Sequence, residues 1–486
     1  MFKQKCTEKL RIKGTNFITP DKNWPIRGGM MLHESSENLV GSTTAVPWKK
    51  VPAKGWITTF AGMSVNLCLG ILYAWSVWKA ALLANKDHVA GSVMQGVNAG
   101  WTYMTDAQAT WAYSICGLVF ATFMVPGGRI QDKLGPRVSV TVGGLSLALG
   151  CIIAGYMRTY TGLIIGFGIF GGIGMGIGYA APTPAAVKWF GPHKRGLVVG
   201  LVVGGFGGAA IYISALAGWF IKSYGISNSF FIMGIMFAVI VIIAGRLLYS
   251  PPEGYAPPAP PVRSRISKRH SITSADWETR EMVKTWQFIA LVIMIGGSAQ
   301  AGLLVIVNAA PMLYKTASNL VFFAVHAWML ASYGGIVNLT GRVGTGFYSD
   351  KIGRKNAYIL NGIFAAICLF LMPYIMKSGN VLLLFLVVGI AYWQYGGTLS
   401  LMPAITADYF GQKNLGFNYG IVFLGGGISF LMPEIGAFIK DATGSLDYAF
   451  YMSGVVLVMA VAVCVLIREP VKAGEERASA IPGTAQ

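Results

Sequence analysis

Gly128-Arg-Ile-Gln-Asp132-Lys-Leu-Gly135-Pro-Arg137 and Gly346-Phe-Tyr-Ser-Asp350-Lys-Ile-Gly353-Arg-Lys355 share one pattern, G-x-x-x-D-K-x-G-x-[RK], 218 residues apart. A second echo pairs Phe190-Gly191 and Gly196-x-x-x-Gly200 with Phe410-Gly411 and Gly416-x-x-x-Gly420, at an offset of 220. Two echoes at nearly one spacing indicate a parallel internal duplication. In a membrane chain that is the mark of two like helical bundles facing each other across a central site.

Composition places the chain in a membrane. Only 12% of its 486 residues are charged and 54% are apolar, against roughly a quarter charged in a soluble domain. Uncharged apolar stretches recur from residue 56 to 468, and a bilayer core about 30 Å thick needs about 20 such residues per helix. Six fit at 56–82, 109–128, 137–157, 161–186, 196–221 and 228–249, and six more at 286–314, 321–347, 355–376, 381–406, 416–440 and 446–468. The expected fold is therefore an all-α membrane protein of twelve transmembrane helices in two six-helix bundles. The bundles would occupy 55–249 and 286–468, with basic and polar tails at 1–54 and 469–486. The Pro-rich, then basic segment 250–285 would link them, its end (Ala275-Asp-Trp-Glu-Thr-Arg-Glu-Met-Val-Lys284) forming an amphipathic surface helix.

Loop charges predict orientation. Connections from odd to even helices carry one Lys or Arg each: Lys86, Arg158, Lys222, Lys315, Lys377 and Lys440. The opposite loops carry Arg129, Lys133 and Arg137, then Lys188, Lys194 and Arg195, then Lys351, Arg354 and Lys355, then Lys413. The positive-inside rule puts that second set, both termini and the central segment in the cytoplasm, as in a multi-pass inner (plasma) membrane protein. The net charge of +19 then reflects topology and anionic membrane lipid; no compact basic domain exists for a nucleic acid. The six cysteines are scattered without CxxC or Cys/His spacing, so neither a disulfide framework nor a metal is expected. No cofactor is expected either.

The duplicated motif predicts a gate. Asp132, Lys133 and Arg137, with Asp350, Lys351 and Arg354, stand where charge-assisted bonds would latch the bundles at the cytoplasmic mouth. This loop pair resembles the characteristic motif of the major facilitator superfamily. More narrowly, Gly70-Ile-Leu-Tyr-Ala-Trp-Ser-Val, Lys188-Trp-Phe-Gly-Pro-His-Lys-Arg-Gly-Leu, Thr279-Arg-Glu-Met-Val-Lys-Thr and Asn418-Tyr-Gly-Ile-Val-Phe resemble the oxalate/formate antiporter family, relatives of the monocarboxylate transporters. The resemblance implies a secondary transporter of small carboxylates working by alternating access, and not an enzyme.

One residue carries that implication physically. Arg342 stands eight residues before Asp350, about 12 Å inside at 1.5 Å per residue, too deep for easy snorkelling. An arginine there costs about 2.5–3.5 kcal/mol even on a lenient scale, so it calls for a cavity and an anion. Its planar fork suits a carboxylate, and the family resemblance implies the same role. Asn338 lies one turn earlier on the same face. Glu434 is the main embedded acid that would otherwise neutralise Arg342 as a permanent ion pair. The resemblance further implies Tyr73, Tyr179 and Tyr395, with Tyr392 beside them, as cavity-lining residues. Where oxalate carriers of the family bear a second cation, in the eleventh helix, this chain has Gly426 between Gly425 and Gly427. One buried cation balances one carboxylate, which favours a monocarboxylate such as formate, lactate or acetate over oxalate.

Glycine stripes at Gly168, Gly172 and Gly176, and at Gly196, Gly200, Gly204 and Gly208, predict close helix packing. Coupling stays open between antiport, uniport and proton symport; protons and a counter-anion are candidate partners, Glu434, Lys79, Asp106 and His326 candidate proton handlers, and a monomer is expected. Arg27-Gly-Gly before Met30-Met31 suggests a ribosome-binding sequence and a start at Met31 or Met30. A major facilitator carrier for a sugar or drug is the alternative; clustered catalytic residues or a signalling domain, needed for an enzyme or sensor, are missing from the sequence.

Overall fold

A computed structural model describes residues 51–84, 88–252, 254–258, 276–411 and 414–470. The basic tail through residue 50, with the Met30 or Met31 start, lies outside the described residues. The first four spanning helices are α1 Ala53–Leu82, α2 Asp106–Leu134, α3 Pro136–Met157 and α4 Tyr160–Val187. Ten described stretches are long and apolar enough to cross a membrane. One of them, Leu197–Arg246, holds parts of two helices, because Gly225 breaks it at φ 83°, ψ 172°. It divides into α5 over 192–224 and α6 over 226–246. There follow α7 Trp286–Thr316, α8 Trp328–Ile352, α9 Arg354–Ser378, α10 Val381–Phe410, α11 Phe417–Thr443 and α12 Asp447–Leu466. α8 is the twelfth span, less apolar than the others because it carries Arg342 and a charged last turn. The expected all-α fold of twelve helices in two six-helix bundles is the observed one.

Local sequence sets the ends. The Thr105 hydroxyl accepts the Gln108 N–H while the Gln108 side chain accepts the Thr105 N–H, a capping box that starts α2. Thr285 and Asn380 cap α7 and α10 in the same sense. The repeated motif is not a loop following a helix, as expected, but the end of α2 or α8, its terminal glycine and the start of the next helix. Each helix ends at its motif glycine, Gly135 at φ 84° and Gly353 at φ 91°, conformations that a side chain resists. Proline at Pro136 and helical backbone at Arg354 restart the chain at once.

Two expectations need correction. α8 begins at Trp328, not near 321: Val321–Val325 forms a separate short helix and His326 leaves helical geometry at φ −108°, ψ 39°. The segment before α7 forms only a four-residue helix, Thr279–Met282. Its Trp277 is instead buried against Phe410, and the Trp277 carbonyl accepts the amides of Asn414 and Asn418.

Glycines bring the backbones together. A Cβ on Gly174 would lie 2.5 Å from the Gly143 carbonyl, and one on Gly172 would lie 2.7 Å from the Cys116 carbonyl. Helix α4 therefore lies against both α3 and α2, as small residues allow in lipid. On α5, Gly204 and Gly208 face Leu339 of α8. The two bundles meet where α1 packs on α7, α5 on α8 and α2 on α11.

Candidate functional site

At the centre of that seam Arg342 is 4% exposed. Its Nε donates to Asn338 Oδ1 (3.1 Å), one turn earlier on α8, in the arrangement that the i, i+4 spacing predicts. Its other nitrogens cross to the N-terminal bundle: Nη1 donates to the Val203 carbonyl (3.3 Å) and Nη2 to the Tyr73 hydroxyl (3.3 Å). A Cβ on Gly207 would fall 2.8 Å from Arg342 Nε, so only glycine lets the guanidinium lie on α5. All three partners are neutral. Among the described residues no carboxylate pairs with Arg342, and Glu434 pairs elsewhere with nothing. A guanidinium has five N–H donors, of which three are engaged. The Asn338 amide nitrogen, fully buried beside it, has no hydrogen-bond partner. The donors left over share one face of α8 and suit two carboxylate oxygens.

The tyrosines surround this point. The Tyr73 and Tyr395 hydroxyls lie 3.0 Å apart, bridging α1 and α10, with their rings edge to face at 5.9 Å. Tyr179 faces the same guanidinium from α4. Tyr392 lies against Gly334 of α8, and its buried hydroxyl has no partner. Two further tyrosines escaped the sequence reading. Tyr113 of α2, fully buried, has an unpartnered hydroxyl near Tyr73 and Tyr392; Tyr419 of α11 stands near Arg342 and Tyr179. Tyr419 lies inside the quoted Asn418-Tyr-Gly segment and could have been found there; Tyr113 has no such signal. Tyr73, Phe206, Tyr179, Phe120 and Phe423 make a continuous run of ring contacts with centroids 4.9–5.9 Å apart. The site is thus one cation and a few polar tips in an aromatic wall, the composition of a small-molecule site.

The motif charges are arranged differently. Arg137 donates to the Leu248 carbonyl (2.9 Å) and covers the Tyr249 ring, and Arg354 bonds Asp408 (3.0 Å), contacts made within one bundle. Lys133 and Lys351 are exposed, and the side chains of Asp132 and Asp350 lie outside the described residues. Among the described residues, the ion pair that crosses the seam sits at the other end. Lys79 of α1 donates to Asp106 of α2 (2.5 Å) and to Asn308 of α7 (2.8 Å). Lys440 of α11 reaches the second oxygen of Asp106. Asp441 accepts the backbone N–H groups of Asp106 (3.0 Å) and Ala107 (2.8 Å), placing its charge on the positive end of α2. The sequence reading had Lys79 and Asp106 as separate proton handlers; the fold makes them one inter-bundle latch. His326 takes no part, its ring bonding the Phe322 carbonyl.

Comparison with known proteins agrees with this architecture. The family model for the Major Facilitator Superfamily matches residues 55–395 and 328–482. The chain belongs to that superfamily, whose members are transporters, and is a multi-pass membrane protein. Among curated relatives it is 23% identical over 373 residues to the "Uncharacterized MFS-type transporter YhjX" of Escherichia coli (strain K12), covering 77% of this chain and 85% of that one. It is 27% identical over 355 residues to the "Oxalate:formate antiporter" of Oxalobacter formigenes, covering 72% and 76%. It is 23% identical over 404 residues to "Monocarboxylate transporter 14" of Mus musculus, covering 69% and 77%. Among solved structures, the xylose transporter XylE from E. coli superposes with a TM-score of 0.61 at 13% identity, over 86% of this chain and all of that one. That likeness concerns the fold alone.

Proposed function

We propose that this protein is a secondary transporter of small monocarboxylate anions, binding the carboxylate between Arg342 and Asn338 at the seam of its two bundles. The observation that carries the reading is a buried guanidinium whose every hydrogen-bond partner is neutral. An embedded charge of this kind needs a counter-charge, and a carboxylate cargo supplies one. The names of the oxalate:formate and monocarboxylate relatives point the same way.

Charge and space favour one carboxylate over two. Gly425 and Gly426 of α11 lie against Val292 and Ile295 of α7, and Gly427 lies near Ala121 of α2. No second cation approaches from that side among the described residues. The phenols of Tyr73, Tyr179 and Tyr395 would bound the short carbon part of formate, acetate or lactate.

In this reading the loop charges put both termini in the cytoplasm of a plasma-membrane protein. The Lys79–Asp106–Lys440 latch then closes the outer end. The motif residues Asp132, Lys133, Arg137, Asp350, Lys351 and Arg354 act at the cytoplasmic end when the carrier faces outward. Alternating access consists of breaking one set of inter-bundle bonds as the other forms, with Arg342 exposed to each side in turn. Uptake of labelled formate, acetate, lactate and oxalate into proteoliposomes, competed by xylose, tests the cargo. Saturable uptake of a monocarboxylate that xylose does not inhibit is expected; xylose uptake with none of the four acids would reject it.

A further inference from the structure

Beside the outer latch lies a charge that the latch does not balance. Two cations, Lys79 and Lys440, meet two anions there: Asp106, which both lysines contact, and Asp441, held on the first backbone N–H groups of α2. Glu434 of α11 is a fifth ionisable group in the same electrostatic neighbourhood as Lys79, Asp106 and Asp441. It is 2% exposed, and neither carboxyl oxygen has a hydrogen-bond partner. The Lys79 ammonium is already engaged by Asp106 and Asn308, and Tyr160 of α4, also near Glu434, is a neutral phenol. A carboxylate buried with no donor loses its hydration and gains nothing, a cost that carboxyl groups avoid by taking a proton.

We propose that Glu434 is a proton-binding site, filled from the outer solution, whose occupancy closes the outer end of the carrier. When that end is open, water reaches Glu434 and the carboxylate is ionised. As α2 and α11 come together and the latch forms, one proton passes from outer water to a Glu434 oxygen, leaving the pocket neutral overall. It returns to the outer solution when the end reopens. One proton taken up on closing shifts the closing equilibrium by up to about tenfold per pH unit. The proposal rests on the carrier reading and its orientation, not on the identity of the cargo.

The test therefore uses no cargo. Thr110 is fully buried on α2, on the side that carries Asp106 and, three residues on, Tyr113 against Phe430 of α11. In the full chain with its six native cysteines replaced, Thr110→Cys reports outer opening through its rate of labelling by a membrane-impermeant maleimide added outside. Val89→Cys, at a highly exposed site (78%), corrects for the pH dependence of the thiol itself. From pH 5.5 to 8.5 the corrected rate should rise at least tenfold. Glu434→Gln should label slowly at every pH, and Glu434→Asp should restore the slope. A flat profile in the otherwise native chain would overturn the proposal, as would a Gln variant that keeps the full slope.

Discussion

Replacing Arg342 with lysine keeps the positive charge and removes the fork, which separates the two parts of its role. The guanidinium bonds Asn338, Val203 and Tyr73 at 3.1–3.3 Å through three different nitrogens; a lysine ammonium is a point charge on a shorter donor set. At least one bond to the carboxylate is lost, and Asn338 Oδ1 loses its donor. A hydrogen bond involving a charged group contributes about 1.5–3 kcal/mol, and each 1.4 kcal/mol is about tenfold in affinity. Arg342→Lys should therefore raise KM for a transported monocarboxylate about ten- to a hundredfold. Arg342→Gln, which also removes the charge, should abolish transport while the protein still assembles. Initial rates of labelled acetate or lactate uptake into proteoliposomes, at matched protein incorporation, give the numbers. Wild-type KM in both variants would refute the reasoning, because no cation would then be needed where the cargo binds.

Other outcomes follow from single contacts. Tyr73→Phe deletes the hydroxyl shared by Arg342 and Tyr395; uptake should weaken by about 1–2 kcal/mol, roughly five- to thirtyfold in KM. Gly353→Ala forces a side chain into φ 91° and should lower stability by about 1–3 kcal/mol. Its thermal unfolding midpoint in detergent should fall, while Gly128→Ala, where an added Cβ meets no atom within 4 Å, should leave it unchanged. Lys440→Met strips Asp106 of its partner from α11, so labelling of Thr110→Cys from outside should accelerate at every pH, and Lys440→Arg should reverse the gain.

What could be read from the chain was what stood out against hydrocarbon. Arg342 was legible because its charge is misplaced in an apolar stretch, and Asn338 because helical spacing puts it one turn away. The duplication was legible from its doubled motif, though not that the motif ends one helix and starts the next, which needs the φ of Gly135 and Gly353. The Lys79–Asp106–Lys440 cluster stayed hidden. Lys79, Asp106, Lys440 and Asp441 each look like ordinary helix-end charges, and the separation of 334 positions between Asp106 and Lys440 conceals that the fold brings them together. The start of α8 was misjudged because Val321–Val325 is as apolar as the span it precedes, and the break at His326 has no proline or glycine to announce it. Tyr113 sits in a run where a tyrosine at a packing position looks the same as one lining a site.

Binding to the purified carrier tests the central claim without the complications of turnover. Isothermal titration with formate, acetate, lactate, oxalate and xylose, on wild type and on Arg342→Gln, asks whether an anion completes the buried guanidinium. Saturable heat from at least one monocarboxylate, stronger than from oxalate and lost in the variant, is the predicted result. Binding that survives loss of the arginine, or that appears for xylose and for no acid, would contradict the account.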